Sequence, residues 1–184
     1  MGIAHSAAVT LGKALRPIHA GNDKLVSQRL GLGNLTSIVV RSDSFASDGT
    51  LPLSATADGA GTPPHLEWLG VPASARSIAV VVEDPDAPFP RPFVHWLVYG
   101  LDPSVDALDG ARVAGHEGKN SMMTIGFSPA APPPGHGPHR YHFQVFALDC
   151  PIDLEPGAGR SALLARMRGH VVAWGELVGT YERA

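Results

Sequence analysis

Proline and glycine interrupt the apolar runs of this chain, and that interruption limits the fold more than any other feature. The 184 residues include 17 prolines and 21 glycines, and proline cannot donate a backbone hydrogen bond within a helix or a central strand. The apolar segments are therefore short, which is typical of a β-rich fold with many turns. With 44% hydrophobic residues, the chain can bury one full core, so we expect a single main domain.

Three segments have the β-branched and aromatic composition of central strands. They are residues 77–83, 94–99 and 140–148. Side chains alternate along a strand, so Tyr141 and Phe143 lie on the same face of the last segment. His139 shares that face if the strand begins early enough to include it.

Residues 1–36 precede the main domain, which we assign to residues 37–184. A helix is predicted over residues 23–30, with Asp23 as its cap, so this N-terminal extension is partly helical. We expect it either to pack on the domain or to remain mobile. A second short helix is predicted between Ser161 and Gly169, since glycine readily adopts the left-handed conformation that ends a helix.

Charge and cysteine content exclude several classes of function. The chain has 14 Lys and Arg against 17 Asp and Glu, with no block of like charge, so a nucleic-acid partner is not expected. Its single cysteine, Cys150, can form neither an intrachain disulfide nor a cysteine metal cluster. No apolar stretch approaches the roughly 18 residues that a transmembrane helix needs. We therefore expect a soluble, cytoplasmic protein.

Two motifs place histidine beside rigid proline and glycine backbone. Residues 84–88 read Asp-Pro-Asp-Ala-Pro and lead to His95, while residues 132–141 read Pro-Pro-Pro-Gly-His-Gly-Pro-His-Arg-Tyr. Imidazole and backbone N–H donors from two such motifs can converge on one small anion. This pattern predicts a small anion-binding pocket, and it favours binding over catalysis.

Each of these residues also has a purely structural interpretation. An aspartate before proline commonly makes an Asx turn, and of the two carboxylates in the first motif Asp86 is the better candidate for that role. His95 lies in a segment that resembles a buried strand, where a lone histidine usually bonds to a backbone carbonyl. His136 and His142 are expected to be exposed or structural.

An enzyme that uses Asp84, His95 and His139, with or without a metal, is the alternative hypothesis. His136, His139 and His142 have an i, i+3, i+6 spacing, yet they would not share one face of a strand, and Pro138 obstructs a helical turn. The chain has no G-x-S-x-G motif and no nucleotide-binding glycine motif, so neither a serine nucleophile nor a nucleotide is indicated. We expect no cofactor and no metal.

At these motifs the chain resembles the phosphatidylethanolamine-binding protein family, in particular its bacterial Raf kinase inhibitor-like branch. The resemblance covers about residues 37–183, and its further segments are residues 45–49, 57–59, 62–68, 169–171 and 176–183. It implies a mainly antiparallel β-sandwich with a few short peripheral helices. It also implies a small pocket for phosphate, phosphorylethanolamine or a similar anion.

Carried over by motif, the resemblance assigns the ligand-binding role to eight residues, with no catalytic role. They are Asp84, Ala87, Pro88, His95, Pro132, Pro133, His139 and Tyr141, while Arg140 and Asp86 act as supports. The family implies a regulatory or inhibitory role with a kinase or protease as partner, and a homodimer is compatible with exposed strands. Residues 126–131 depart from the glycine-rich family pattern, which affects one wall of the pocket.

Overall fold

The computed structural model describes residues 2–33, 35–110 and 113–183. Its strands are β1 (Thr36–Ser37), β2 (Val39–Arg41), β3 (Gly49–Thr50), β4 (Leu66–Leu69), β5 (Ser77–Asp84), β6 (Phe93–Leu101), β7 (Ala107–Leu108), β8 (His116–Glu117), β9 (His139–Leu148) and β10 (Val171–Tyr181). Its α-helices are α1 (Gly2–Leu15), α2 (Val26–Leu30) and α3 (Arg160–Met167), and short 3₁₀ turns span Asn22–Lys24 and Leu53–Ala55.

The strands form two sheets. The larger sheet has seven strands in the order β1-β10-β9-β5-β6-β8, with β3 also beside β10, and the smaller has the order β2-β4-β7. Pairing is antiparallel except where β1 and β3 run parallel to β10. The predicted fold class, an antiparallel β-sandwich with a few short peripheral helices, is confirmed.

Apolar side chains cover both faces of the central strands. One cluster fills the space between the sheets, with Ile78, Val80 and Val82 of β5 packed among residues of the smaller sheet such as Trp68. A second cluster lies on the opposite face, where α2 and α3 cover the sheet. Burial on both faces explains why β5 is apolar at nearly every position.

The three central strands were predicted nearly to their ends, since β5, β6 and β9 extend the predicted segments by one to three residues. The helices differ more. The segment predicted as one helix over residues 23–30 is a 3₁₀ turn followed by α2, because Leu25 is extended between them. Helix α3 begins at Arg160, so its N-cap is Gly159 and not Ser161.

A buried carboxylate anchors α2 to the outer face of the large sheet. Glu83 is fully buried and accepts hydrogen bonds from Arg160 at 2.5 Å, from Gln144 at 3.0 Å and from the backbone N–H of Val26 at 2.8 Å. Gln144 in turn accepts from the N–H of Ser27 at 3.0 Å. This network joins β5, β9, α2 and α3 through one charge.

Helix α1 lies beside the loop that precedes β9. Arg16, which follows the helix, donates to the carbonyl of Gly135 at 2.8 Å, and Gly12 packs directly on the backbone of Pro134. Among the described residues, none of the helices combines the length and the apolar character required to cross a bilayer.

Candidate functional site

A cavity of about 340 Å³ opens between the loop after β5 and the proline-rich loop before β9. Most of its wall is apolar, and its polar groups are few, as in small-molecule sites generally. Its lining residues are Asp84, Ala87, Pro88, Phe89, Phe93, His95, Met122, Ser128, Pro129, Ala131, Pro132, Pro133 and His139. Seven of the eight residues assigned to a ligand from the sequence therefore lie around one space.

Asp84 ends β5 and fixes the loop that follows it. Its Oδ1 accepts hydrogen bonds from the backbone N–H groups of Asp86 at 2.8 Å and Ala87 at 3.0 Å, which is an Asx turn. The prediction that Asp86 makes this turn is therefore wrong. Asp84 makes the Asx turn because its carboxylate lies beside the backbone of the turn, whereas the carboxylate of Asp86 faces the guanidinium of Arg140.

His139 begins β9 on the strand face that the alternation of side chains predicted. Its Nδ1 lies 2.7 Å from Oδ2 of Asp84, and both side chains are almost completely buried. Its Nε2 lies 2.7 Å from Nδ1 of His136. Both ring nitrogens of His139 are thus engaged by protein groups.

His95 lies at an irregularity in the pairing of β5 with β6. Val82 pairs with Trp96 and Glu83 with Val94, so His95 has no opposite residue, and such a bulge redirects a side chain. Its Nδ1 donates to the carbonyl of Ser128 at 2.7 Å, and no hydrogen bond within the described part of the chain occupies its Nε2, so Nε2 can contact a ligand. Burial lowers the pKa of His95, although Asp84 and the Ser128 carbonyl oppose that effect.

Tyr141 is the one predicted ligand-binding residue that does not line the cavity. Its ring stands edge-on to His95, with centroids 5.1 Å apart. Its hydroxyl is buried and has no hydrogen-bond partner within the described part of the chain. Burial and the nearby Asp84 raise the pKa of the phenol well above its usual range. Tyr141 therefore supports the His95 ring from behind.

Asp86 and Arg140 support the site from outside, as the sequence suggested. The guanidinium donates from Nε to Oδ2 at 2.8 Å and from a terminal nitrogen to Oδ1 at 2.6 Å, a bidentate pair. Burial alone would raise the pKa of Asp86, but the hydrogen bonds from the Arg140 side chain and backbone outweigh it and hold the pKa low.

The segment that departs from the family pattern forms one wall of the cavity. Ser128, Pro129 and Ala131 line it, and the N–H of Ser128 also donates to the carbonyl of His95 at 2.8 Å. This wall and His95 are consequently held together by two hydrogen bonds, one through the backbone and one through the ring.

The sequence did not identify every residue of the site. His136 was expected to be exposed or structural, and it is structural: it is buried and bonded to His139, because the Gly135 and Gly137 turn folds it inward. His142, named with it, is also buried and bonds to Glu176 at 3.0 Å on the opposite strand face. The aromatic wall was missed as well, although Phe89 adjoins the first proline motif.

Metal-ligating side chains also meet at the far end of β9. Among the described residues, Asp149, Cys150 and His170 form the one group whose ligand atoms could surround an ion, and Nδ1 of His170 lies 2.9 Å from Oδ1 of Asp149. The three histidines with metal-like spacing do not all converge, since His136 and His139 are in contact while His142 faces away from them. The cavity therefore provides an imidazole nitrogen on His95 and a carboxylate–imidazole pair.

Comparison with known proteins identifies the family to which this chain belongs. A family model described as phosphatidylethanolamine-binding protein matches residues 41–182. The UPF0098 protein of Pyrococcus abyssi is 37% identical over 171 residues, covering 86% of this chain and 96% of that protein. The UPF0098 protein of Chlamydia trachomatis is 38% identical over 148 residues, covering 77% and 97%.

Solved structures agree with this assignment. A putative phosphatidylethanolamine-binding protein homologue from Chlamydia trachomatis superposes with a TM-score of 0.77 at 36% identity, covering 81% of this chain and 99% of that one. The YbcL protein of E. coli superposes with a TM-score of 0.75 at 30% identity, covering 80% and 99%. This chain belongs to the phosphatidylethanolamine-binding protein family.

Proposed function

We propose that the protein binds a small anion of the phosphate or phosphorylethanolamine type in the cavity, and that it acts by occupancy rather than by turnover. The observation that carries this proposal is the single ring nitrogen left for a ligand, Nε2 of His95, beside the pair formed by His139 and Asp84. When protonated, His95 can donate its Nε2–H to an anion, with the paired His139 and Asp84 side chains beside it.

The charge on Asp84 does not oppose an anion strongly. Its Oδ1 is neutralised in part by two backbone N–H donors and its Oδ2 by the His139 ring. A few charge-assisted hydrogen bonds of about 1.5–3 kcal/mol each, less the cost of association, give affinities of about micromolar to millimolar. Weak and reversible occupancy suits a sensor or a regulatory protein.

The apolar rim supports a regulatory role. Phe89 and Met122 line the cavity and are also exposed, at 51% and 65% of their surface. A partner that covers this rim would contact the bound anion at the same time. A kinase or a protease is the partner class that the family resemblance implied, and a homodimer is the alternative that light scattering tests.

Hydrolysis remains the second candidate because a carboxylate orients an imidazole here, as in acid–base sites. Both nitrogens of His139 are engaged, so the base would be Nε2 of His95, and the chemistry would need an added nucleophile such as water. Turnover of phosphomonoesters or carboxylic esters that disappears in His95→Gln would favour this candidate over simple binding.

Isothermal titration with phosphate, phosphorylethanolamine and sulfate tests the binding proposal. We expect saturable binding to the natural sequence and a loss of about tenfold or more in His95→Gln, which removes the ring donor but keeps a similar size. His170→Gln is the matched control, since that exposed ring lies at the other end of β9. Equal affinity in all three proteins would refute the cavity as the site.

A further inference from the structure

Two histidines connect the cavity to the N-terminal segment through hydrogen bonds in series. Oδ2 of Asp84 faces Nδ1 of His139 at 2.7 Å, Nε2 of His139 faces Nδ1 of His136 at 2.7 Å, and Nε2 of His136 faces the carbonyl of Leu15 at 2.9 Å. We call these three contacts the histidine chain. It begins at a cavity carboxylate and ends on the carbonyl of Leu15, the last residue of helix α1.

The histidine chain requires one more proton than two neutral imidazoles carry. Both of its ends, the Asp84 carboxylate and the Leu15 carbonyl, can only accept. Three hydrogen bonds between two acceptor ends need three protons, whereas two neutral rings supply two. With the third proton, Asp84, His139 and His136 together have no net charge, and one ring is an imidazolium paired with the carboxylate.

The contact with the Asp84 carboxylate, at 2.7 Å, assigns the additional proton to His139 within this inference. Burial lowers the pKa of His136, and the charges of His139 and His19 add to that effect, while the Leu15 carbonyl opposes it. His139, in contrast, directly faces the Asp84 carboxylate. The charge of His139 also lowers the pKa of His95, the remaining titratable group of the cavity. The ion pair of Asp86 and Arg140 lies on the outer side of the site.

The N-terminal segment is held on both loops of the cavity. Beyond Leu15, Arg16 donates to the Gly135 carbonyl at 2.8 Å. The ring of His19 stands edge-on to His136 at 5.4 Å. The N–H groups of Ala20 and Gly21 donate to the carbonyls of Ala87 at 3.1 Å and Pro85 at 3.0 Å. Residues 12–21 thus bridge the proline-rich loop and the loop after β5.

We infer that this segment sets the charge at the end of the cavity. With the Leu15 carbonyl in place, the histidine chain holds its third proton, and Asp84, His139 and His136 together present no net charge to a bound anion. If the segment moves away, His136 no longer needs a proton on Nε2, the chain holds two protons, and the trio becomes a net anion that repels the ligand. Docking of the segment is therefore coupled to uptake of one proton and to anion binding.

The coupling of docking to anion binding rests on the proposed function, whereas the coupling of docking to proton uptake does not. A change of charge beside a partly buried anion changes its affinity, because charges there are screened less than in bulk water. We expect undocking to weaken phosphate and sulfate binding at least about tenfold.

One substitution separates the segment from the cavity without changing a cavity residue. A Cβ atom on Gly12 would lie 1.9 Å from the Pro134 carbonyl oxygen, so Gly12→Val forces α1 away from the loop. Ala14→Val is the matched control because it adds the same side chain at an exposed position of the same helix. His136→Phe is a second test, since it breaks the histidine chain with a ring of similar size at a residue outside α1.

The measurement is ¹⁵N spectroscopy of the histidine rings near neutral pH, with His139 assigned by its loss in His139→Gln. We expect a doubly protonated His139 ring in the natural sequence and in Ala14→Val, and a singly protonated ring in Gly12→Val and His136→Phe. A neutral His139 in the natural sequence overturns the inference, as does an unchanged ring in both test variants.

Anion titration of the same four proteins separates the two proposals. Weaker phosphate and sulfate binding in Gly12→Val and His136→Phe, with Ala14→Val unchanged, supports the coupling. Equal binding by all four overturns the coupling while leaving the anion site intact. The ring spectra could also change as expected while the protein binds neither anion. That result would support the protonation of the histidine chain and refute the proposed function.

Discussion

His139 and Asp84 meet face to face at the inner end of the cavity, with 2.7 Å between Nδ1 and Oδ2 and with 1% and 4% of their side chains exposed. The contact joins residues 55 positions apart because β5 and β9 are neighbours in the sheet. Asp84 uses its other oxygen to hold the following loop. One carboxylate therefore fixes both the shape and the charge of the site.

Removal of the Asp84 carboxylate should destabilise the fold. Asp84→Ala leaves two backbone N–H groups and the His139 ring without their acceptor, which costs about 3 kcal/mol or more. Asp84→Asn keeps one acceptor oxygen for the turn and should cost clearly less. Urea unfolding measures both values, and an Asp84→Ala protein within about 0.5 kcal/mol of the natural sequence would contradict the contacts.

The buried Glu83 gives a second stability test. Arg160→Ala removes its cationic partner while the carboxylate remains buried, and we expect a loss of about 3–5 kcal/mol. Arg166, on the same helix, donates only to an exposed backbone carbonyl, so Arg166→Ala should change stability by less than about 0.5 kcal/mol. Urea unfolding measures both losses of stability. Equal losses in Arg160→Ala and Arg166→Ala would show that the buried Glu83 carboxylate is not stabilised by Arg160.

The sequence predicted the parts of this molecule that depend on local pattern. Runs of β-branched residues predicted β5, β6 and β9, and the two-residue alternation placed His139 and Tyr141 on one face. Proline motifs beside histidines predicted which loops would meet. These features follow from backbone stiffness and side-chain direction, which a few neighbouring residues determine.

Other features depend on long-range contacts, which single motifs do not encode. The inward turn of His136 requires the carbonyl of Leu15, 121 residues away. The distinction between Asp84 and Asp86 was decided by Arg140, 54 residues from Asp86. The local sequence around Glu83 does not indicate that its carboxylate pairs with Arg160. Helix α1 has no acidic residue in its first turn, so the usual sequence signal for a helix start is missing there.

Asp58 should titrate far below an ordinary aspartate. Hydrogen bonds from Arg183 and Tyr181 lower its pKa to about 2. Because the folded pKa is depressed, this carboxylate stabilises the fold above the unfolded value near ~4, and the contribution is lost as the pH falls towards 2. Carboxyl ¹³C spectroscopy measures the pKa, which Arg183→Ala should return towards ~4. A normal pKa with Arg183 present would contradict the ion pair.

Anion binding should strengthen as the pH falls. Burial lowers the pKa of His95, and a bound anion favours the protonated ring, so binding takes up a proton. We therefore expect tighter binding at about pH 6 than at about pH 8, and the affinity should continue to rise below the ordinary value near ~6.5 because the pKa of the free ring is lowered. Sulfate is the suitable probe because its own charge is constant in that range. Titration calorimetry that finds no pH dependence would exclude His95 as an imidazolium donor.

The most direct test of the account is to observe the His95 ring while phosphorylethanolamine is added at about pH 6. The account predicts a saturable change of the ¹⁵N signal of His95 Nε2 towards the protonated form. Backbone shifts should accompany it at Ala87, Ser128 and His139, and His95→Gln should abolish them. A His95 signal that does not respond, while the ligand binds elsewhere or not at all, would contradict it.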